Sequence, residues 1–467
     1  MAAAVTMARA GLSVRVYERG PTIGGGARTT ELTLPGYKHD LGSAVHPMAL
    51  ASGFFQKFEL QKRINLVVPR LSYGHPLDGA RAGLAWRDLE RTVAELGHDG
   101  PAWRKLLAPL VNRAQEVAQF TGSQVLQLPQ HPLTVARLGL RILEQGSPAW
   151  NLRFRHDEAP AMLAGNNAHS IRRMPSLATA AVGLVLATHA HARGWPIPVG
   201  GSQSIINALA ADLIDHGGQI FTNTEVTELA QLPPCRVVIF DTSARALARI
   251  AAAVLPERYA RSLKRFRYGN AAAKVDFALS APVPWANEAL REAGTVHIGG
   301  SRAEIAASEA DVAAGRHPQS PFVLVSQPSL IDPTRAPAGR QVLWAYTHVP
   351  AGSKVDRTEA ITAQIERFAP GFRDTIVASV GQTATQLAAW NPNYVGGDIA
   401  AGEPSLTQLV ARPVLHVNPW RTPAPGVYLC SSSTPPGPGV HGLAGFYAAR
   451  SALRAEFGLD APHLGRE

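Results

Sequence analysis

A carboxylate and a glycine-rich loop lie close together near the start of the chain. Glu18 ends a short alternating segment, and the glycines at 24–26 follow, with Arg28 and Thr29 directly after them. Glycines let the backbone approach a ligand closely, and a guanidinium group pairs well with phosphate. In a dinucleotide-binding unit, an acidic residue at the end of the second strand binds the ribose hydroxyls. These residues, with the DLGS turn at 40–43, predict a nucleotide cofactor site.

The elements that must position this site are predicted on either side of Gly11. Residues 2–10 are rich in alanine, which favours a buried helix that Gly11 ends, and residues 13–18 alternate as a short strand. A dinucleotide-binding unit has a first strand and a G-x-G-x-x-G turn before such a helix, and the turn holds the pyrophosphate with backbone N–H groups. We expect that strand and turn upstream of Ala2, where the printed sequence contains neither.

This arrangement resembles the flavin-dependent oxidoreductase superfamily that includes phytoene desaturases, carotenoid isomerases and amine oxidases. Other stretches, such as AAAKVDFALSAPVPW and QVLWAYTHVP, resemble its branch of pyridine-nucleotide-disulphide-oxidoreductase-domain-containing, phytoene-dehydrogenase-like proteins. The resemblance implies FAD as the cofactor. Glu18 would hold the ADP ribose, and the flavin and pyrophosphate would lie against Arg19, Gly25, Gly26, Ala27, Arg28, Thr29, Asp40 and Gly42.

A second glycine-rich segment begins at Trp195. The pair Gly200–Gly201 precedes a helical pattern, and the glycines at 217–218 end it before QIFTNTEVTEL, which we expect to continue as strands. The segment resembles the family's P-x-G-G motif, helix and strand pair. By this resemblance the backbone of Val226 would pack against adenine.

A third segment, at 426–453, predicts a strand, a Pro/Gly turn and a helix that starts near Gly442. Such a unit can direct the N–H groups of a helix start at a flavin carbonyl. The stretch PGPGVHG is close to the family pattern, which implies cofactor contacts from Gly439 and Val440. Ser431 stands where the family has glycine.

The predicted fold is α/β, with a Rossmann-like FAD-binding domain and a substrate domain of mixed sheet and helices. The FAD-binding domain would be discontinuous and lack its first strand. We assign it to 1–75, 190–270 and 390–467, and the substrate domain to 76–189 and 271–389.

Composition restricts the partners. The chain carries ten more basic than acidic residues, but it has no dense basic stripe with interleaved aromatics, so we expect no nucleic acid partner. Its two cysteines and scattered histidines suggest no metal site or redox disulfide. No apolar run reaches the length of a membrane span, and we predict a cytoplasmic protein. The basic segment 258–269 is a candidate for peripheral membrane contact, although a solvated helix face is the commoner role.

The chemistry would be that of the flavin, which accepts a hydride, so a catalytic triad is not required. His46 and His441 would lie near the flavin by resemblance, and His348 and Tyr346 are weaker candidates. Packing or hydrogen bonding is the commoner role of such histidines, and no catalytic residue is assigned.

Three functions fit the sequence. The first is FAD-dependent dehydrogenation or isomerisation of a lipophilic, carotenoid-like small molecule. The second is an amine-oxidase-like flavoenzyme, which would need an aromatic cage beside the flavin. The third is a flavin-free interaction protein that retains the fold, since the phosphate-binding turn is not in the sequence.

Overall fold

The computed structural model describes residues 1–466 and shows a mixed α/β fold, which confirms the predicted fold class. The strands are β1 (Arg15–Tyr17), β2 (Thr29–Glu31), β3 (Lys38–Asp40), β4 (Leu66–Val67), β5 (Leu71–Leu77), β6 (Arg81–Trp86), β7 (Ile197–Pro198), β8 (Gln219–Phe221), β9 (Val238–Phe240), β10 (Ala271–Leu279), β11 (Thr295–Ile298), β12 (Val323–Ser326), β13 (Gln341–Val349), β14 (Ile376–Gln382) and β15 (Val427–Leu429). The helices are α1 (Ala2–Arg9), α2 (Gly53–Lys57), α3 (Leu60–Arg63), α4 (Leu89–Glu95), α5 (Gly100–Val111), α6 (Ala114–Thr121), α7 (Pro132–Gln145), α8 (Glu158–Ala168), α9 (Leu177–Ala192), α10 (Gln203–Asp215), α11 (Ala244–Ile250), α12 (Glu257–Lys264), α13 (Arg302–Ala313), α14 (Pro328–Ile331), α15 (Thr358–Phe368), α16 (Phe372–Thr375), α17 (Ala384–Trp390), α18 (Leu406–Val410) and α19 (Leu443–Ala452).

The largest sheet has seven strands in the order β14-β10-β13-β12-β11-β5-β6. All its pairs are antiparallel except β11 with β5. The register of β10 against β13 places Lys274 opposite Tyr346 and Asp276 opposite Trp344. Because side chains alternate along a strand, these four residues lie on one face of the sheet.

The two faces of this sheet differ in chemistry. One face is aliphatic and aromatic, with a core that includes Val275, Phe277 and Leu343. The other face carries buried polar side chains alongside aromatic rings, because charged or polar residues occupy alternate positions of β10, β11 and β13. Burying polar groups is costly unless they are paired, so this face is a candidate for function.

Two short parallel strand pairs are separate from the large sheet. β1 pairs with β8, and β9 pairs with β15. Val14, beside β1, packs in one apolar cluster with Val237 and Ile239 of the β9 region, and helices α1 and α19 lie against each other nearby. The carboxyl ends of β1 and β9 therefore face the same region of the molecule.

Most predicted elements near the glycine loops are confirmed. The helix at 2–10, the strand before Glu18, the helix after Gly201 and the strand–turn–helix near the C-terminus correspond to α1, β1, α10, and β15 with α19. The prediction of strands throughout 219–229 is wrong, because only β8 forms there. Residues 222–228 instead lead into a short 3-10 turn capped by Gln231, whose Oε1 accepts hydrogen bonds from Thr227 N and Glu228 N.

Helix α9 is rich in apolar residues and runs for 16 residues. It packs against α8 and α7. In the described part of the chain, no helix has the length and apolar character that crossing a membrane requires.

Candidate functional site

Glu18 directly follows β1, and its main chain is held by a hydrogen bond from its N–H to Phe221 O of β8. Its Oε1 accepts a hydrogen bond from Gly20 N at 2.6 Å, which fixes the carboxylate at the strand end. Oε2 has no hydrogen-bond partner within residues 1–466 and is available to a ligand. This is the placement predicted for a ribose-binding carboxylate.

Asp241 lies at the equivalent end of β9. Removal from bulk water raises the pKa of its carboxyl, the N-terminal ammonium group lowers it, and the charge of Glu18 raises it. The carboxylates of Glu18 and Asp241 therefore interact electrostatically across the region where the parallel strands end. A polar ligand placed there would meet one oriented carboxylate and one that binds a proton more readily than usual.

Free backbone donors border the same region. The N–H groups of Gly25, Gly26, Gly439 and Val440 make no hydrogen bond within the described residues. Val440 also packs in the apolar cluster that holds Met1 at the start of α1. N–H groups without an internal partner suit an anionic or carbonyl-bearing ligand.

Several of these glycines are required by close packing. A side chain on Gly42 would strike the backbone of Gly26, and a side chain on Gly26 would strike the Tyr394 hydroxyl. Gly439 has a φ of 140°, which residues other than glycine rarely adopt. The two loops can therefore approach each other and a ligand only with glycine at these positions.

Val226 lies beside this region with its side chain packed in the cluster that contains Phe240 and Val238. Its backbone N–H and C=O have no hydrogen-bond partner within residues 1–466. The main chain of Val226 is thus free to contact a ligand, and its packing against adenine stays a prediction.

Asp40 is a buried junction between four segments. Its Oδ1 accepts hydrogen bonds from Thr29 Oγ1 at 2.6 Å and Ser202 N at 2.9 Å, and its Oδ2 accepts one from Arg335 Nη2 at 2.7 Å. Both oxygens of Asp40 are thus used by protein groups. Asp40 and Thr29, both predicted to bind the cofactor, position the glycine loop in this structure.

The segment 390–394 closes over the glycine loop and was not predicted to do so. The Arg28 guanidinium lies 5.2 Å from the centre of the Trp390 ring, and Arg19 Nη2 donates to Trp390 O at 3.0 Å. Ser243 N donates to Asn393 Oδ1 at 2.8 Å, which ties the same segment to the end of β9. Ala27 is buried within the loop.

A buried charged cluster lies on the polar face of the large sheet, next to this region. Lys274 Nζ donates to Asp276 Oδ2, and His39 Nδ1 lies 3.5 Å from Asp276 Oδ1. Burial alone would raise the pKa of Asp276, but Lys274 and His39 hold it below its usual range. Asp40 is close enough to act on Lys274 electrostatically.

Sequence reasoning missed Lys274 and Asp276 as site residues. The signal was available, because two charged residues at alternate positions of an otherwise apolar strand must share one buried face. Such a pair is expected either to hold the fold together or to act in the site.

Trp344 and Tyr346 extend this face as an aromatic wall. Their ring centres are 5.1 Å apart in a T-shaped arrangement, and Lys274 Nζ lies 5.7 Å from the centre of the Trp344 ring. The same apolar cluster includes Ala44, four residues beyond Asp40, so the wall faces the loop that carries the cofactor-site residues. Other members of this wall are Trp150, Ala164, Ala168, Met174, Ala272, Phe322, Leu324 and Leu387.

His348 and Glu309 form a buried pair at the end of the wall. His348 Nδ1 lies 2.6 Å from Glu309 Oε1, while His348 Nε2 has no partner within residues 1–466. The ring of His348 lies 5.6 Å from that of Tyr346. A carboxylate on Nδ1 holds the proton there and leaves Nε2 as an acceptor.

His46 and His441 take structural positions. His441 Nε2 lies 3.1 Å from Gly437 O, and its Nδ1 accepts from Leu443 N at 3.1 Å, so the ring is neutral and clamps the glycine turn. His46 Nε2 lies 2.8 Å from Ser202 Oγ. Burial lowers the pKa of both histidines to about 4.

Comparison with known proteins decides the family. Residues 1–454 match the family described as flavin containing amine oxidoreductase. The chain belongs to this family. Its cofactor is FAD, which agrees with the predicted cofactor.

The residues at the site fit FAD. Glu18 offers a free carboxylate oxygen, the Gly25–Gly26 and Gly439–Val440 segments offer free N–H donors, and Val226 offers a free main chain. These donors and acceptors match a ribose, a pyrophosphate or flavin carbonyl, and an adenine ring.

Curated relatives share the chain's full extent. The rat protein named pyridine nucleotide-disulfide oxidoreductase domain-containing protein 2 is 25% identical over an alignment of 542 residues, which covers 97% of this chain and 91% of the relative. The mouse protein of the same name is also 25% identical, with the same coverage.

Solved structures share the fold at low identity. An oxidoreductase from Methanosarcina mazei has a TM-score of 0.56 at 14% identity, with 97% of each chain covered. A putrescine oxidase bound to putrescine has a TM-score of 0.53 at 17% identity, with 97% and 96% covered. Cyclohexylamine oxidase from Brevibacterium oxydans has a TM-score of 0.52 at 14% identity, with 97% and 95% covered.

No group of three or more metal-ligating side chains has a geometry that could hold an ion, in the part of the chain that the structure describes. The two cysteines are both free, with Cys235 exposed and Cys430 buried.

Proposed function

We propose that this flavoenzyme oxidises C–H bonds of an uncharged, lipophilic small molecule, as a phytoene-dehydrogenase-like enzyme does. The observation that carries the proposal is the composition of the wall, which consists of aromatic and aliphatic side chains such as Trp344, Tyr346 and Leu324. Such a wall binds apolar surface and excludes water from the reacting atoms.

The charges near the wall support an uncharged substrate. Three buried carboxylates lie on or beside it, and each already has a cationic or imidazole partner within the protein. The pairs are Asp40 with Arg335, Asp276 with Lys274, and Glu309 with His348. A substrate ammonium group would find Asp40 and Asp276 already paired with cationic side chains, and Glu309 already bound to the His348 ring through Oε1, with Glu309 Oε2 lacking a hydrogen-bond partner within residues 1–466.

FAD, when bound, accepts a hydride from the substrate carbon. We assign cofactor binding to Glu18, to the main chain of Val226 and to the free N–H groups of the loops at 25–26 and 439–440. Trp344 and Tyr346 would orient the substrate against this region.

Oxidation of a saturated C–C bond to a double bond also releases a proton. We assign its acceptance to His348 Nε2, since Glu309 orients the ring and leaves that atom without a partner. Hydride and proton together account for the two hydrogens that the substrate loses.

Oxidation of an amine is the second candidate. It is favoured by the T-shaped pair of Trp344 and Tyr346, since aromatic rings can flank an amine, and by structural neighbours whose printed names are amine oxidases. The wall would then bind the amine by its ring faces rather than by a carboxylate.

Steady-state turnover with an artificial electron acceptor distinguishes the two candidates. We expect acceptor reduction with phytoene in detergent micelles and none with benzylamine. Turnover of benzylamine without turnover of phytoene would contradict the first candidate and support the second.

A further inference from the structure

A set of strongly exposed aliphatic side chains lies far from the cofactor loops in sequence. Leu128 is 95% exposed and Leu152 is 83% exposed, although burial of such side chains is the norm. We name the set the leucine surface, and it comprises Leu126, Leu128, Leu133, Leu140, Leu143, Leu152, Leu415 and Val417. These eight are half of the sixteen large hydrophobic side chains that are exposed among the described residues.

Helix α7 supplies the centre of the leucine surface. Its inward face packs through Leu138, with Thr134 and Gln145 also buried. At 100° per residue, Leu133, Leu140 and Leu143 project on the opposite side of the helix. The helix thus has two apolar faces, one in the core and one in solvent.

The remaining members are held next to α7. Leu126 and Leu128 lie in the loop that leads into the helix, and Leu152 follows it, where Arg153 is paired with Glu144 of α7. Gln124 Nε2 donates to His416 O, which holds Leu415 and Val417 beside that loop. Side chains from two distant parts of the chain therefore share one surface.

The surroundings of the leucine surface are strongly basic. Residues 101–155 contain seven basic and two acidic residues, which is half of the chain's net charge of +10. Ion pairs join Glu116 with Arg113 and Glu144 with Arg153, and Arg104 is paired with Glu90 outside this range. Lys105 and Arg137 are exposed and make no ion pair within residues 1–466.

We propose that the leucine surface docks onto an anionic lipid bilayer. Protruding aliphatic side chains with nearby unpaired cations match an interface of acyl chains and anionic headgroups. A stable protein partner is less suited, because hot spots of protein interfaces are rich in Trp and Tyr, and the leucine surface has neither. The basic segment 258–269 lacks this combination, because none of the exposed large hydrophobic side chains of the described residues lies within it. The nearest along the chain is Val254.

The docked face is close to the candidate substrate wall. Trp150, which packs in the wall with Trp344, lies two residues before Leu152 in the chain. A lipophilic substrate could thus pass from the bilayer to the wall along one short segment. This last step rests on the proposed function, whereas bilayer docking does not.

Co-sedimentation of the full chain with vesicles tests the docking. The probes are vesicles of phosphatidylcholine alone, and the same vesicles with about one third phosphatidylglycerol. We expect the wild type to sediment with the anionic vesicles, and the triple variant L128S/L133S/L140S to bind them at least about ten-fold more weakly. The variant K105Q/R137Q should lose binding to anionic vesicles as salt is raised sooner than the wild type.

Matched controls separate docking from misfolding. Ile214 and Leu406 are also exposed but lie outside the leucine surface, so I214S/L406S should bind as the wild type does. Circular dichroism and the Tm of each variant must match those of the wild type before binding is compared.

Three results would overturn the proposal. They are a wild type that stays in the supernatant with every vesicle, a triple variant that binds equally well, and a wild-type dimer in solution that the triple variant abolishes without any vesicle binding. The last result would make a second copy of the chain the occupant. None of these measurements requires turnover, so failure of the proposed substrate would leave the docking result intact.

Discussion

The carboxylate of Asp40 and the guanidinium of Arg335 form a fully buried ion pair, with Arg335 Nη2 2.7 Å from Asp40 Oδ2. Arg335 Nε also donates to Lys38 O at 3.1 Å, so the arginine holds both ends of β3. The two partners are 295 residues apart in sequence. This pair connects the cofactor loops to the segment before β13, which carries the aromatic wall.

We predict that Asp40→Asn destabilises the protein by about 3–5 kcal/mol, because it leaves the Arg335 charge buried without a counter-ion. The free energy of unfolding in urea measures this. Both oxygens of Asp40 accept hydrogen bonds, so the Asn amide NH2 must also face a donor, either Arg335 Nη2 or Ser202 N, and the loss combines charge with hydrogen bonding. The double variant D40N/R335M should recover part of the loss, and full additivity of the two single variants would contradict the account.

We predict that Glu18→Gln weakens FAD binding about ten-fold, because an amide replaces the carboxylate that would accept the ribose hydroxyls. Titration of the apoprotein with FAD, followed by flavin fluorescence, gives the Kd. Glu31→Gln is the matched control, since Glu31 is exposed on β2. An unchanged Kd for Glu18→Gln would remove Glu18 from the site.

The buried histidines predict a loss of stability in mild acid. The pKa of His441 is lowered from 6.5 to about 4 by burial, so the unfolded chain binds a proton more readily than the folded one. The stability that depends on neutral His441 is therefore fully present above about pH 6.5 and is lost as the pH falls towards 4. This loss lowers the free energy of unfolding by about 3 kcal/mol.

Urea unfolding at a series of pH values measures this slope. His441→Gln should be less stable at neutral pH, because the clamp on Gly437 changes, but should show a shallower decline between pH 6.5 and 4. His416→Gln, at an exposed position, serves as the control. If the stability of His441→Gln declined between pH 6.5 and 4 as much as that of the wild type, His441 would not be the cause of the pH-dependent loss.

We predict that His348→Gln slows flavin reduction by substrate about 10²–10³-fold, because it removes the proton acceptor. Glu309→Gln should have a smaller effect, since it acts through the orientation of the His348 ring. Stopped-flow absorbance measures the rate of flavin reduction in both variants. A KM change alone, with unchanged reduction rate, would indicate that His348 only binds substrate.

Local patterns predicted the elements around the first glycine loops well. Gly11 ends α1, the alternation before Glu18 forms β1, and the glycines before α10 form the expected turn. Each of these signals spans fewer than about fifteen residues, and such short-range signals set the local structure independently of distant contacts. The strands expected after Phe221 did not form, because side chains such as Gln231 bind the backbone there in place of a neighbouring strand.

Long-range pairing could not be predicted from the sequence. Arg335 with Asp40, His39 with Asp276, and His348 with Glu309 depend on the register of the large sheet and on which helix covers it. The alternation of Lys274 and Asp276 showed that one face of β10 is polar, but no local signal showed that His39 would cover it.

Single-turnover reduction of the flavin tests the central claim most directly. The purified, FAD-loaded protein is mixed anaerobically with phytoene in micelles, and the flavin absorption band near about 450 nm is followed. The account predicts that phytoene bleaches the band and that benzylamine leaves it unchanged. Bleaching by benzylamine with none by phytoene would contradict an uncharged lipophilic substrate, and a protein that takes up no FAD would contradict the cofactor site itself.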